Sequence, residues 1–228
     1  MGDVSIMARR LKDGHVQYGW SGNGGYMKNT GYRLYEWYRE PEMVEYLFEL
    51  GQTALIGIPG SEDGNSPWYL SHELKNEGFW LGDTERKIFS RIAFIDYGYF
   101  YDLDNQWYYI VPGPFRIKIP LGYLIENVER DKYEFDYINQ VEKNLITHIF
   151  TDFIKKDRAF EELVKTKNIP TEVYKVLSLS DNPIYDLFRK YKYIYEYFDD
   201  WIVVEPNENG YSFKIRKKEK THTETFYW

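Results

Sequence analysis

Two aspartates, Asp102 and Asp104, lie in the short polar segment DLDNQ between two aromatic runs. Alternating oxygen ligands of this kind occur in calcium loops, which also need a glycine at the sharp turn and a final bidentate glutamate. Trp107 stands where that glycine would be, and the ligand set stops short of a glutamate. Since Asp and Asn favour turns, the segment predicts a solvated hairpin turn and no metal site.

The four histidines, His15, His72, His148 and His222, are the candidate general bases. His72 is the best enzymatic candidate, but neither a G-x-S-x-G nor an H-E-x-x-H motif surrounds it. His15 follows a turn and His222 lies in the tail, so both are expected at the surface, and His148 is expected at the boundary of a helix. The chain has no cysteine nucleophile, because it has no cysteine. We therefore predict no catalytic residue, no metal ligand and no cofactor.

Charge and aromatic content favour protein partners. The net charge is −7 with a pI near 5.3, and 23 of the 228 residues are tyrosine. Nucleic-acid-binding proteins usually carry a basic surface, and the clearest basic run here covers only residues 214–220. Tyrosine is enriched at protein interfaces, although aromatic cores use it as well. We expect a protein partner such as a basic nucleoprotein or nuclease, without direct contact to nucleic acid or membrane.

The clearest structural signal comes from two runs, residues 92–101 and 107–111, that are rich in β-branched and aromatic side chains. Such side chains favour strands, and the short polar loop between the runs predicts a hairpin. Both runs are apolar without strict alternation, so both faces of the hairpin should be covered. In the next predicted strand, residues 115–119, Arg116 and Lys118 alternate with apolar residues and are expected to face water.

Turn and cap residues place the elements of the first half. Asp13-Gly14 between two apolar runs predicts an N-terminal hairpin. Residues 30–50 predict helices, with a restart at Pro41 and an end at Gly51. The expected core face of the first of these helices consists of Leu34, Trp37 and Tyr38.

The second half predicts helices and then a hairpin. Helices are expected mainly in residues 134–190, including a strongly amphipathic one in residues 133–157. The turn in residues 207–210 (NENG) predicts a C-terminal hairpin. Because strands and helices are segregated, the fold class is α+β with a central antiparallel sheet. Residues 1–125 and 126–228 form two regions that are expected to pack as one unit.

Several short motifs lie along the first half of the chain. They are VQYGWSG at residues 16–22, Gly31 and Leu34, VEYL at residues 44–47, LGQ at residues 50–52 and NQWYY at residues 105–109. Together they resemble the opening of small uncharacterised phage and prophage proteins. Those proteins carry His and Asp where this chain has Gly19 and Ser21, so an activity that depends on that pair would be missing. The resemblance implies an origin in a phage or mobile element and implies no activity.

Localisation follows from features that the sequence lacks. It has no cysteine, no signal-peptide core at its start and no apolar run near the roughly 20 residues that span a bilayer. The cytoplasm of a bacterial host is the expected location.

Three functions are therefore expected, and the first is favoured. It is a phage or mobile-element accessory protein that is not an enzyme and binds a host protein stoichiometrically, inhibiting a defence nuclease such as a CRISPR effector. Acidic side chains would compete for a basic channel. The candidate partner-binding residues are Asp102, Asp104, Asp199, Asp200 and Glu205. The alternatives are an enzyme of unrecognised type acting on a nucleotide or sugar, and a virion or assembly component.

Overall fold

One mixed β-sheet organises the part of the chain that the structure describes. This computed structural model describes residues 4–22, 24–51, 55–59, 80–82, 97–111, 116–127, 148, 152, 201–208 and 210–216. Its strands are β1 (Ser5–Arg10), β2 (Val16–Ser21), β3 (Trp80–Gly82), β4 (Tyr97–Tyr101), β5 (Trp107–Ile110), β6 (Arg116–Pro120), β7 (Trp201–Asn207) and β8 (Gly210–Arg216). Its helices are a π-helical turn (Met27–Gly31), α1 (Tyr32–Trp37), α2 (Pro41–Glu49) and α3 (Leu121–Asn127).

The strand order is β3-β2-β1-β4-β5-β6-β7-β8. Neighbouring strands are antiparallel except at β1–β4 and β6–β7, which are parallel. The predicted α+β class is confirmed, but the sheet is mixed rather than purely antiparallel. The reason is connectivity, because each parallel pair is joined by a long crossover instead of a hairpin, which short turn signals cannot reveal.

The three predicted hairpins are confirmed. Gly14 ends the first turn with a φ of 90°, in the left-handed region that glycine adopts without strain. The central turn between β4 and β5 uses Asn105 with a φ of 59°, and the amide of Asn105 donates to the carbonyl of Asp102 at 3.0 Å. The last turn closes where Asn207 pairs with Gly210. Local turn chemistry therefore fixes these hairpins.

The helices predicted in residues 30–50 are present, with two differences. Pro41 opens α2 and Gly51 follows its end with a φ of 80°, as expected. The helical stretch starts earlier than predicted, in the π-helical turn at Met27. Trp37 was expected in the core with Leu34 and Tyr38, but it is exposed. Leu34 and Tyr38 are four residues apart and share the buried side, whereas Trp37 lies about 60° around the helix from Leu34, on the side away from Tyr38.

Several elements were missed or cannot be compared. Strand β3 and helix α3 were not predicted, and α3 begins directly after the strand residue Pro120. The helices predicted in residues 134–190 lie outside the described residues, apart from His148 and Asp152, which are both helical. The division into residues 1–125 and 126–228 stays a prediction.

The two faces of the sheet carry different side chains. On one, called here the helix-covered face, strand residues pack against the helices in a cluster that includes Met7, Tyr99, Tyr109, Ile119 and Ile202 with Leu34, Val44, Leu47, Phe48, Leu121 and Leu124. On the other, called the opposite face, the described apolar cluster consists of strand residues alone, among them Ile6, Tyr18, Phe100, Tyr108, Ile110, Trp201 and Val203. Both faces of β4 and β5 are buried, as predicted.

Candidate functional site

The opposite face contains a cluster of three charged side chains, of which Lys118 is buried and Arg10 and Asp102 are partly buried. Asp102, at the end of β4, accepts a hydrogen bond from Nε of Arg10 at 2.8 Å and a second from Nζ of Lys118. The ammonium of Lys118 also lies 4.2 Å from the ring centre of Tyr108 and 5.2 Å from that of Trp201. Arg10 lies over the ring of Phe100 at 5.3 Å. One carboxylate therefore joins β1, β4 and β6 beneath an aromatic layer.

Electrostatics favour the charged form of Asp102. Burial alone would raise its pKa, but the charges and hydrogen bonds of Lys118 and Arg10 outweigh burial and hold the pKa below its ordinary value. Lys118 was predicted to face water, yet it is only 1% exposed. The prediction was wrong because the rings of Tyr108 and Trp201, on the strands flanking β6, lie against the ammonium group of Lys118.

Asp104 lies in the same turn as Asp102 but faces outward. It is exposed, and one carboxylate oxygen accepts a hydrogen bond from the hydroxyl of Tyr108 at 2.5 Å. Its neighbours Leu103 and Asn105 are exposed too. The two acids therefore differ in what they offer a partner, because Asp102 is occupied by internal cations and Asp104 is accessible.

The structure does not place the other predicted partner-binding acids beside Asp102 and Asp104. Asp199 and Asp200 lie outside the described residues. Glu205 on β7 faces Lys214 on β8, with 3.5 Å between its carboxylate oxygen and the ammonium. Three strand spacings, roughly 14 Å, separate β7 from β4 across the sheet. Within the described part of the chain, Glu205 is therefore remote from Asp102 and Asp104.

On the helix-covered face, tyrosine hydroxyls bind backbone carbonyls. Tyr99 donates to the carbonyl of Gly25 at 2.8 Å, and Tyr38 donates to that of Gly57 at 3.0 Å. Burial raises the pKa of Tyr38 to about 12. These contacts are structural, because each hydroxyl donates to the carbonyl of a buried glycine.

The outer side of α2 is strongly acidic. Residues 40–58 contain four glutamates and neither lysine nor arginine. Glu42, Glu45, Tyr46 and Glu49 are exposed, and their spacing places them on one side of the helix, away from the buried Val44, Leu47 and Phe48. The guanidinium of Arg9 pairs with the carboxylate of Glu45.

The hairpin turn between β4 and β5 meets the junction of α1 and α2. The indole N–H of Trp107 donates to the carbonyl of Tyr38 at 2.7 Å, and the hydroxyl of Tyr101 lies 3.5 Å from the carbonyl of Arg39. Burial raises the pKa of Tyr101, and the nearby carboxylates of Glu40, Asp104 and Glu42 raise it further. The carboxylate of Asp104 therefore acts on the hydroxyl of Tyr101 together with the carboxylates of Glu40 and Glu42.

Large apolar side chains are exposed on the elements that meet at or flank this junction. Among the described residues, the exposed ones are Trp37 (42%), Tyr46 (42%) and Leu103 (55%). They belong to α1, α2 and the hairpin turn. We call the exposed residues here the junction surface: Glu36, Trp37, Arg39, Glu40, Glu42, Glu45, Tyr46, Glu49, Leu103 and Asp104. Sequence reasoning found only Asp104 of this set, although four glutamates without a lysine or arginine in residues 40–49 were a visible signal.

The described histidines each lie beside an aspartate. Nδ1 of His15 is 3.1 Å from Asp13, and Nε2 of His148 is 3.4 Å from Asp152. His72 and His222 lie outside the described residues. In the described ranges, no group of three His, Cys, Asp or Glu side chains is arranged to hold a metal ion. No helix in that part of the chain is long and apolar enough to cross a membrane.

Comparisons with known proteins give no assignment. No family model matches the chain, and neither the curated proteins nor the solved structures contain a significant match. The resemblance to phage and prophage proteins stays a prediction. The junction surface is therefore the candidate site on physical grounds alone, because it combines a net negative charge, six acids with one arginine, with exposed aromatic side chains.

Proposed function

We propose that this protein acts by stoichiometric binding to a basic surface of a protein partner, through the junction surface. One observation carries the proposal: the three large apolar side chains exposed among the described residues lie on α1, on the acidic side of α2, and in the turn next to Trp107, whose indole bonds the α1–α2 junction. Aromatic anchors surrounded by charge are typical of protein interfaces. The negative carboxylates also attract a basic partner over a longer range.

The favoured partner is a protein that binds nucleic acid. Its phosphate-binding channel is lined with lysine and arginine, and an acidic surface competes for such a channel because both ligands are anionic. A defence nuclease of the CRISPR type in a bacterial host is the partner class that we propose, with the chain acting as a phage or mobile-element inhibitor. The resemblance to phage proteins and the net charge of −7 support this choice.

One feature argues for binding rather than catalysis. The acids of the junction surface are exposed and lie on a helix and a turn, whereas the inward acid Asp102 is engaged by two internal cations. An enzyme acting on a nucleotide or sugar and a virion component remain the alternatives.

The test is a pull-down from host bacteria with the purified full chain as bait, at low and at high salt. We expect one basic nuclease or nucleoprotein at near-equal stoichiometry, retained at low salt and lost at high salt, because the screening length falls from about 10 Å at 0.1 M to about 3 Å at 1 M. Added heparin should release the same partner.

Matched variants make the test specific. Glu42→Lys reverses one charge on the junction surface and should reduce capture strongly. Glu208→Lys reverses one exposed charge at the β7–β8 turn and should leave capture unchanged. Trp37→Ala should also weaken capture, since aromatic anchors often carry much of the binding energy. Recovery of the bait alone, or equal capture by the two lysine variants, would contradict the proposal.

A further inference from the structure

Arg33 on α1 is a partly buried cation whose guanidinium has no carboxylate partner in the described part of the chain. Its Nη1 donates a hydrogen bond to the carbonyl of Ile56, and the described residues supply no second acceptor. Arg9 and Arg10 are partly buried too, but each of them bonds a carboxylate. A guanidinium carries more N–H donors than one carbonyl can use. Arg33 therefore keeps donors for another acceptor.

Partial burial makes an anion the favourable partner for this side chain. Desolvation lowers the pKa of Arg33, and the opposing effects come from two phenols, those of Tyr26 and Tyr38, rather than from an acid. Burial raises the pKa of Tyr38 to about 12, so this phenol is neutral at ordinary pH. A cation that is partly removed from water is stabilised by a counter-charge. Among the described residues, no acid supplies this counter-charge to Arg33.

The two segments joined by the hydrogen bond of Arg33 to Ile56 contain no acidic residue. They are residues 14–35 and residues 50–61, in a chain where 36 of the 228 residues are aspartate or glutamate. The first segment also contains a second cation, Lys28. An anion that approaches Arg33 therefore meets less local repulsion than the net charge of −7 would suggest.

Gly24, in the glycine-rich sequence of residues 21–26, lies beside the same contact. A Cβ placed on Gly24 would lie 3.0 Å from the side chain of Leu55, which precedes the residue that accepts the hydrogen bond. Tyr26, at the end of the glycine-rich sequence, is close enough to raise the pKa of Arg33. Residues from a loop, from α1 and from a second loop therefore meet at one guanidinium.

We propose that Arg33 anchors a binding site for one oxyanion group, a phosphoryl or a carboxylate, of a small ligand. A planar guanidinium can donate to two oxygens of such a group at once. The hydrogen bond to Ile56 orients the guanidinium before the ligand arrives. The site is separate from the junction surface, which does not include Arg33, so each can be tested without the other.

The experiment titrates the full chain with inorganic phosphate and, separately, with acetate, at constant ionic strength. Calorimetry and the NMR shifts of the arginine Nε–H groups follow binding. We expect one equivalent to bind with a Kd below about 1 mM, and the probe that binds more tightly identifies the group. Arg33→Gln should raise the Kd at least about tenfold. Arg33→Lys keeps the charge without the planar fork and should weaken binding by a smaller factor.

Lys12 provides the matched control, because it is exposed at the first hairpin turn. Lys12→Gln removes one positive charge, as Arg33→Gln does, and should leave the Kd unchanged. The tighter-binding probe should also raise the Tm of the native chain and leave that of Arg33→Gln unchanged. Circular dichroism would verify that each variant is folded.

Three results would overturn the site. The first is the absence of saturable binding of either probe up to about 10 mM. The second is binding that survives Arg33→Gln, as it would if the basic run in residues 214–220 held the anion. The third is an equal loss of affinity in Lys12→Gln, which would show that binding follows the overall charge of the chain.

Discussion

The two faces of the central sheet bury polar atoms in different ways. On the helix-covered face, neutral tyrosine hydroxyls such as those of Tyr99 and Tyr38 donate to backbone carbonyls of the neighbouring loops. On the opposite face, full charges meet, with Asp102 between Arg10 and Lys118. A lost neutral hydrogen bond costs little, whereas an unpaired buried charge costs several kcal/mol. The opposite face should therefore be the more sensitive to single substitutions and to pH.

The largest expected effect comes from removing the carboxylate of the charge cluster. Asp102→Ala leaves Arg10 and Lys118 side by side without an anion, and Lys118 is almost fully buried. We expect the free energy of unfolding to fall by about 3 to 5 kcal/mol. Urea denaturation followed by tryptophan fluorescence measures the change. A loss below about 1 kcal/mol would show that the cluster is hydrated and not a buried ion pair.

Acid should act on the same cluster. The pKa of Asp102 is lower in the folded protein than in the unfolded chain, so its contribution is present above the unfolded value of about 3.9 and is lost as the pH falls through the folded value. Unfolding free energies measured from pH 5 downward should decline more steeply for the native protein than for Asp102→Asn. If the unfolding free energies of the two proteins declined in parallel with pH, the pKa of Asp102 would not be lowered in the folded protein.

A smaller effect is expected on the helix-covered face. Tyr99→Phe removes the hydroxyl that donates to the carbonyl of Gly25 and leaves that acceptor without this donor. The free energy of unfolding should fall by about 1 to 2 kcal/mol, independently of pH in the acid range. Tyr46→Phe is the control, since Tyr46 is exposed and its change should be close to zero. If Tyr99→Phe lowered the free energy of unfolding as much as Asp102→Ala, the two faces of the sheet would not differ in their sensitivity to substitution.

The smallest effect is expected at the outward acid of the central turn. Asp104→Ala removes an exposed carboxylate and one hydrogen bond with Tyr108, so stability should fall by no more than about 1 kcal/mol. Thermal unfolding of Asp104→Ala beside Asp102→Ala compares two acids of one turn directly. Equal losses would mean that both acids serve the fold.

Local signals in the sequence predicted the hairpins and the α2 boundaries, because turn and cap residues act within a few positions. Gly14, Gly51 and Gly210 all adopt the positive φ that these motifs require. Longer-range features were not predictable. The alternation of residues in β6 predicts that Lys118 faces water. Trp201 lies beside Lys118 only because β7, more than 80 residues later in the chain, pairs with β6.

The candidate site likewise combines features that the sequence reveals with features that only the fold determines. Asp102 and Asp104 look alike in sequence, since both are acids in one turn, and only the sheet order places Arg10 and Lys118 beside the first of them. The exposure of Trp37 was equally hidden, because aromatic residues at helical spacing usually mark a core face. The four glutamates in residues 40–49 were visible, but that Glu40 and Glu42 act with Asp104 on the hydroxyl of Tyr101 depends on how β4 and β5 meet the α1–α2 junction.

The most direct measurement is the affinity for the captured partner over a salt series, for the native chain and three single variants. The account predicts that Glu42→Gln and Asp104→Asn raise the dissociation constant and flatten its salt dependence, because both remove charge from the junction surface. Asp102→Asn, measured at a temperature where it is folded, should bind like the native chain. Weakening by Asp102→Asn alone, with Glu42→Gln and Asp104→Asn unchanged, would contradict the claim that the outward acids bind the partner and the inward acid serves the fold.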